Sequence, residues 1–475
     1  MIASFLKYGA SVALAASIVA YACTAGAYTA NVNTTSNDYN SGHCSLNEAQ
    51  SLFWKDGNPT GTCFWAADGQ NTYKIQLIGG TYTNIYVNMG NFTLNGAGAS
   101  NTTLLVNNQY TPGVDFIDGN GTVSNLTIKG QGQTANTPAP GAQCENVATS
   151  CTLTSVTITG FTGGGINVWP DGTLTLNAST VTSNTTVNQA DGAGWGGGII
   201  NGGTATINSS TISHNSAAQG AGGIYNSNAN VLTIHGSTIS NNTANGPGGG
   251  LFDLDGGYVT IDTSIINNNT APSGGGIYES GGTHMYYSTI ANNTATSGAG
   301  GGIYIGGRNN PYWIGWHVTI TGNKAASGTC GVGGGVYVDP SSIQSEDWNA
   351  SIITGNTNSR NHNEDDLVGK LHDSSLLTDG VNPSIVGSTT CVVNYGKGGL
   401  PDQTKSASAV FGNNQLASNG GPTQTVALAS NSPAIDACTN TMSNLGGYGG
   451  MPANQDQRGS HAPNGKQYDI GSFEH

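Results

Sequence analysis

Short apolar clusters separated by glycine, asparagine and serine recur along most of this chain, and none continues with a helical period. A Gly-Gly-Gly or Ala-Gly-Gly triplet followed by two large residues starts at Gly163, Gly196, Ala221, Gly248, Gly274, Gly300 and Gly333, at spacings of 33, 25, 27, 26, 26 and 33 residues. Gly222-Gly223-Ile224-Tyr225-Asn226 and Gly275-Gly276-Ile277-Tyr278-Glu279 show how alike the units are. Each unit carries a second cluster, such as Leu232-Thr233-Ile234, and a third that ends in Ile-x-x-Asn, as in Ile239 to Asn242. Three short strand signals per unit predict three changes of chain direction. A unit this short cannot bury its own apolar face, so neighbours must stack. The pattern therefore predicts an all-β, right-handed, single-stranded parallel β-helix with coils about 4.8 Å apart.

In such a helix the Ile and Val positions form internal ladders. Asn184, Asn215, Asn242, Asn269, Asn293, Asn323 and Asn356 fall at one corner, where asparagine tolerates the left-handed conformation and satisfies backbone groups. The glycines supply positive φ at another corner. The many Asn-x-Thr sequons follow from this corner chemistry without any glycosylation. Open solenoid ends invite edge pairing. At the N-terminal end Ser45-Leu46-Asn47-Glu48 has the form of a capping box. With Leu46, Ala49 and Phe53 on one face, it predicts a short capping helix. Beyond Asn358 the repeat fades. The expected organisation is a signal peptide at 1–27, an N-terminal cap segment at 28–70, coils at 71–358 and an irregular C-terminal cap at 359–475.

Composition sharpens the compartment. Charged residues make up only 8% of the chain, and glycine fills 74 of 475 positions. Lys7, the apolar run from Ala10 to Ala22 and the small-x-small site Ala25-Gly26-Ala27 resemble a secretory signal. Export permits disulfides, and Cys44 with Cys63 and Cys144 with Cys151 are the natural local pairs. One of Cys330, Cys391 and Cys438 is left over, and spacing does not say which. No cysteine or histidine spacing marks a metal site, and a bridging Ca2+ has no motif. The net charge of −14, with only Lys74, Lys129, Arg308 and Lys324 as cations between Tyr73 and Asn358, leaves no footprint for nucleic acid. Neutral glycans and cell-surface molecules remain as partners.

The flanks resemble a known family. Cys44-Ser45-Leu46-Asn47-Glu48-Ala49 is similar to the CSLREA motif of secreted bacterial β-helix proteins, with asparagine in place of the usual arginine. Asn419-Gly420-Gly421-Pro422-Thr423, Ser432-Pro433-Ala434-Ile435-Asp436, Asp456-Gln457-Arg458-Gly459 and Asp469-Ile470-Gly471-Ser472-Phe473-Glu474 resemble the choice-of-anchor Q domain. The central units are similar to the repeats of polymorphic outer-membrane proteins. The resemblance implies a pectin-lyase-like solenoid, secreted or at the bacterial cell surface, with an adhesin-like role. The chain ends at His475 without an anchoring tail or barrel strands, which points to release or non-covalent retention.

Several residues are candidates for chemistry. Asp253 and Glu279 occupy equivalent positions in adjacent units, about one coil apart, a separation close to that of the carboxylates in retaining glycosidases. Tyr225, Phe252, Tyr278, Tyr304 and Tyr337 recur at matched positions and form one stripe, outward as a sugar-stacking surface or inward as core. The segment Pro311-Tyr312-Trp313-Ile314-Gly315-Trp316 reads as an aromatic surface loop, with Trp313 and Trp316 as ligand contacts or core cover. Asp365-Asp366 reads as part of a polar linker, and Arg458 as a structural lock of the C-terminal cap. An ice- or mineral-binding face requires a flat threonine ladder, against which the varying unit length counts. The expected function is non-enzymatic glycan or surface contact; the alternative is a carbohydrate-active enzyme, a glycoside hydrolase or a polysaccharide lyase.

Overall fold

A computed structural model describes residues 28–475 apart from 36–43, 48, 51–65, 68–72, 84–85, 90, 109, 118, 133–137, 146–148, 189–193, 228–229, 308–310, 327–331, 342–344, 360–364, 370–383, 389–402, 439–454 and 463. The chain winds as a right-handed parallel β-helix. A representative central coil has four strands: Ile224–Asn226, Val231–His235, Thr238–Ser240 and Thr243–Ala244. The chain then returns to the first position at Leu251–Asp253. The first strand of each coil enters an 11-stranded sheet, here sheet B. The second and third share a 24-stranded sheet, sheet A, and the fourth a 7-stranded sheet, sheet C. The fourth strand is the one the sequence pattern does not announce, because two residues are too few to leave a period.

Side chains alternate across each strand, and parallel register stacks like on like. Ile212, Ile239, Ile266, Ile290 and Ile320 stand in one inward column, and Ile207, Ile234 and Ile261 in another. All are buried, and each contributes roughly 1.5–3 kcal/mol by leaving water.

The asparagine corner differs in one detail from expectation. The left-handed residue is the one before each ladder asparagine: Ser183, His214, Asn241, Asn268 and Asn292 have φ between 56° and 58°, and Gly322 and Gly355 follow suit. Each ladder asparagine points inward instead. Its Oδ1 accepts the main-chain N–H and the Nδ2–H of the preceding rung, at 2.9–3.1 Å from Asn184 through Asn356. The sequon acceptors Asn241, Asn268 and Asn292 are thus the exposed corner residues. Asp366 ends the ladder by accepting both Asn356 donors at 2.8 Å, so it is a buried terminus of the corner and not part of a linker.

A parallel serine ladder turns the chain within sheet A. Ser179, Ser210, Ser237 and Ser264 each donate a main-chain N–H to the next rung's serine Oγ, ending on Ser288. The glycine triplets serve two purposes. From Gly196 onward their first position has positive φ, 75° at Gly248 and 58° even at Ala221. The third lies where coils nearly touch, so that a Cβ on Gly223 would overlap the Gly250 carbonyl oxygen.

The solenoid runs past the expected boundary at 358. Leu367–Gly369 joins sheet B, and Ile385–Val386 and Gln403–Thr404 join sheet A. The described residues of the remaining chain lie beside the solenoid. They form a short helix, Ala407–Val410, and an antiparallel hairpin, Phe411–Ala417 with Thr425–Leu428. The chain then folds back along the outside of sheet A. Gln457 accepts from Thr289 Oγ1 at 2.6 Å and donates to the Ser264 carbonyl at 3.1 Å, and Gly471 N–H donates to Ala350 at 2.7 Å. Ile352, Val410, Phe411, Val426 and Ile470 make a second core there. Arg458 locks this flank: Nε donates to Asp456 at 2.6 Å, Nη2 to the Glu474 carbonyl, and the guanidinium lies 3.9 Å over the Phe473 ring.

At the N-terminal end Leu46, Asn47, Ala49 and Gln50 are helical, and Leu46 and Ala49 are buried in the main core. Glu48 and Phe53 lie outside the described residues, as does the 1–27 segment. Cys144 and Cys151 are bonded, and Cys44 is in a disulfide while Cys63 is outside the described residues. Cys438 is a free, buried thiol; Cys330 and Cys391 are not described. Among the described residues no helix is long and apolar enough to cross a membrane.

Candidate functional site

Asp253 and Glu279 do sit directly against each other in register, but they face inward. Both are fully buried. Asp253 accepts from Asn226 Nδ2 at 2.7 Å and from Gly282 N–H at 3.2 Å. Glu279 accepts from Gly281 N–H at 2.8 Å and from the Thr283 hydroxyl. Burial pushes the Asp253 carboxyl up to about 7. Burial and the neighbouring Asp253 charge hold Glu279 well above the ordinary carboxylate range. The pair therefore shares a proton inside the solenoid, continuing an internal polar column from Asn201 and Asn226. It lies away from any surface a polysaccharide could reach, which removes the physical basis for glycosidase chemistry at these two residues.

Trp313 and Trp316 are also corrected. Tyr312–Trp316 is a strand of sheet A and not a surface loop. Trp313 is fully buried beside Trp348, with ring centroids 5.4 Å apart, and Trp316 packs against Tyr286 at 5.6 Å. Arg308 lies outside the described residues, and Lys324 is exposed on sheet C.

The aromatic stripe faces outward on sheet B. Leu251 and Asp253 flank Phe252 on the same short strand and point into the core, so the residue between them points out. Tyr225, Phe252, Tyr278, Tyr304 and Tyr337 pair in one unbroken register. Their ring centroids are 5.7, 4.9, 4.5 and 5.1 Å apart in that order. Trp195 extends the column, stacked on Tyr225 at 5.1 Å.

The same outward column continues toward the N-terminus through Ile200, Asn167, Gln143 and Asp115. There it enters a cleft of about 550 Å³ lined by Tyr86, Tyr110, Asp115, Glu145 and Trp169 among others. Tyr110 is 68% exposed and Trp169 41%, so two large rings stand open to solvent at the cleft. Asp115 is buried at its floor. Tyr86 OH donates to Asp115 Oδ2 at 3.0 Å, while Oδ1 has no hydrogen-bond partner among the described residues. Burial and the nearby Glu145 charge raise its carboxyl to about 6, against the Tyr86 hydrogen bond. Glu145 in turn accepts from Gln143 Nε2 at 2.7 Å. These residues escape the sequence reading because the early coils lack the glycine triplet that fixes the frame. The available signal is the exposed aromatic turn at Trp169-Pro170.

Sheet A carries a different surface. Thr93, Thr122, Thr152, Thr175, Thr206, Thr233 and Thr260 form one outward column of half-exposed threonines. Thr103, Thr127, Thr157, Thr180, Thr211 and Thr238 form a second around the serine corner. Unequal unit lengths are absorbed in the loops and leave the strand register intact.

Residues 140–325 match the family model described as "Right handed beta helix region". No curated protein sequence matches the chain. Among solved structures it is similar to the pectate lyase Pel9A, at 14% identity and TM-score 0.36, covering 96% of this chain and 98% of that one. It is also similar to the PL6-family alginate lyase AlyGC, at 11% identity and TM-score 0.36. That match covers 77% of this chain and 54% of AlyGC. A third is the A-module of the mannuronan C-5 epimerase AlgE6 of Azotobacter vinelandii, at 12% identity and TM-score 0.31, covering 70% of this chain and 89% of that one. The activities in these names belong to those proteins. The family match covers the central coils and assigns them to the right-handed β-helix.

Proposed function

We propose that this protein is exported and holds a neutral polysaccharide along the outer face of sheet B. The observation that carries this reading is the unbroken outward column that runs from the Asp115 cleft through Trp195 to Tyr337. A linear glycan can lie along such a column with its sugar faces against the rings. The exposed Tyr110 and Trp169 supply two further stacking positions. The scarcity of cations argues for a neutral polymer over an anionic one. Export is supported by the sequence pattern at 1–27 and by the Cys144–Cys151 bond, which suits an oxidising compartment.

The test is retention on immobilised neutral and acidic polysaccharides. Wild-type protein is expected to bind a neutral polymer, and Trp169→Ala combined with Tyr110→Ala to weaken it by at least tenfold, the loss of about 1.4 kcal/mol. Equal retention of that double variant, or retention only on acidic polymers, counts against the reading.

The threonine columns favour a second reading, adhesion to an ordered solid such as ice. Hydroxyl and methyl groups repeat there about every 4.8 Å along the solenoid axis. Ice-affinity partitioning with Thr175→Lys and Thr206→Lys variants tests it: wild-type exclusion from the ice sinks this reading.

A further inference from the structure

We propose that Asp115 and Glu145 are the acid and base of a glycoside-hydrolysing site at the N-terminal end of the sheet B column. The inference rests on the reading of that face as a glycan-binding surface, and it gives the face a reaction.

The geometry carries it. Asp115 is the middle, outward residue of Val114–Phe116, and its register partner in the next coil is Gln143. Glu145 lies two residues beyond Gln143. One coil across and two residues along places the two backbones on the order of 8 Å apart, with both side chains lining one cleft. Such an offset leaves space for a glycosidic bond and a water between the carboxyls. Asp115 sits at the floor with one oxygen held by Tyr86 and the other without a partner among the described residues. A buried carboxylate oxygen left this way is costly, which favours the protonated carboxyl, and its O–H can be given to a substrate oxygen at the cleft. Glu145 is half-exposed, next to Gln143 and open to solvent water.

The environments divide the roles. Tyr86 and Glu145 are the titratable groups acting on Asp115: burial and the Glu145 charge raise its carboxyl to about 6, against the Tyr86 hydrogen bond, so that it holds a proton under mildly acidic conditions. Asp115 gives that proton to the glycosidic oxygen as the bond from that oxygen to the anomeric carbon breaks. A water molecule attacks the anomeric carbon and gives its proton to Glu145. One water is consumed and two sugar hydroxyls are formed. Exchange with solvent returns the proton from Glu145 and restores the one on Asp115. The exposed rings of Tyr110 and Trp169 position the chain on either side of the broken bond.

The experiment incubates the purified protein with the neutral polysaccharides of the retention panel and measures reducing ends alongside binding. Wild-type protein is expected to release reducing ends from a polymer it retains. Asp115→Asn and Glu145→Gln are expected each to lower release per retained protein by roughly 10²–10⁴-fold while keeping the thermal midpoint. Retention without any release overturns the dyad and leaves the binding face standing. Release unchanged in Asp115→Asn overturns the assignment of the acid. Release without dependence on Trp169 or Tyr110 overturns the binding face instead. Absence of both retention and release overturns both.

Discussion

Asp115 and Asp253 belong to strands of the same sheet and differ by one step along the strand, which reverses their fate. Asp115 is the second residue of its strand and faces out over a cleft; Asp253 is the third of its strand and faces the core. A step of one residue moves a side chain to the opposite face of a sheet. The buried pair has a measurable consequence. Free carboxyls titrate near 4, whereas burial raises Asp253 to about 7, and burial with the Asp253 charge holds Glu279 well above its ordinary value. Between those values the folded protein binds more protons than the unfolded chain, so stability is fullest at low pH and is lost as pH rises through about 7. The thermal midpoint should therefore fall between pH 5 and pH 8. Glu279→Gln should flatten that fall, and an unchanged slope in the variant would show that other groups control it.

At the scale of the element, the solenoid depends on its corners as much as on its apolar ladders. Asn269 Nδ2 donates to the Ile239 carbonyl and to Asn293, and its Oδ1 accepts from Asn242 twice. Asn269→Ala removes the hydrogen bonds to the buried Ile239 carbonyl and Asn242 N–H, both in the preceding coil. At about 1–3 kcal/mol for each unsatisfied group, the loss should be about 4 kcal/mol, read from chemical denaturation. Asn269→Asp keeps the acceptor but loses the donors, and should fall between the two. A conformational argument predicts a comparable loss for Gly223→Ala, because the added Cβ has the Gly250 carbonyl in its place. The strand rungs and both kinds of corner follow from spacing in the sequence. The fourth strand and the serine ladder do not, since two residues make no period and serine is common everywhere in this chain.

At the scale of the whole molecule, the described residues of the C-terminal segment pack along the flank of sheet A. Where it docks, the outward column of sheet A runs from Thr211 and Thr238 through Ile265, Thr289 and Thr319 to Ile352, which packs in the second core. The threonine column is therefore half-exposed at Thr211 and Thr238 and covered at Thr289 and Thr319, whose hydroxyls hold the C-terminal segment. Arg458→Ala removes the contacts to Asp456, Asn419 and Glu474 and the stacking on Phe473. A largely buried charged group of this kind contributes about 2 kcal/mol through its hydrogen bonds. Limited proteolysis should then cut the variant first within 403–475 and leave the coils intact. Simultaneous loss of both would show that the flank and the solenoid unfold as one unit.

The sequence by itself determined the architecture, because a repeat of strand, corner and glycine can satisfy its backbone only by stacking on its own copies. It also placed Asp253 beside Glu279 and Tyr225 in line with Tyr337, since register follows from equivalent positions. Only the tertiary structure decided which of these columns met solvent. A three-residue strand carries too little alternation to mark its inner face; the adjoining corners set it. The cleft at Asp115 was decided the same way, by early coils of irregular length whose side chains converge only after the chain has wound.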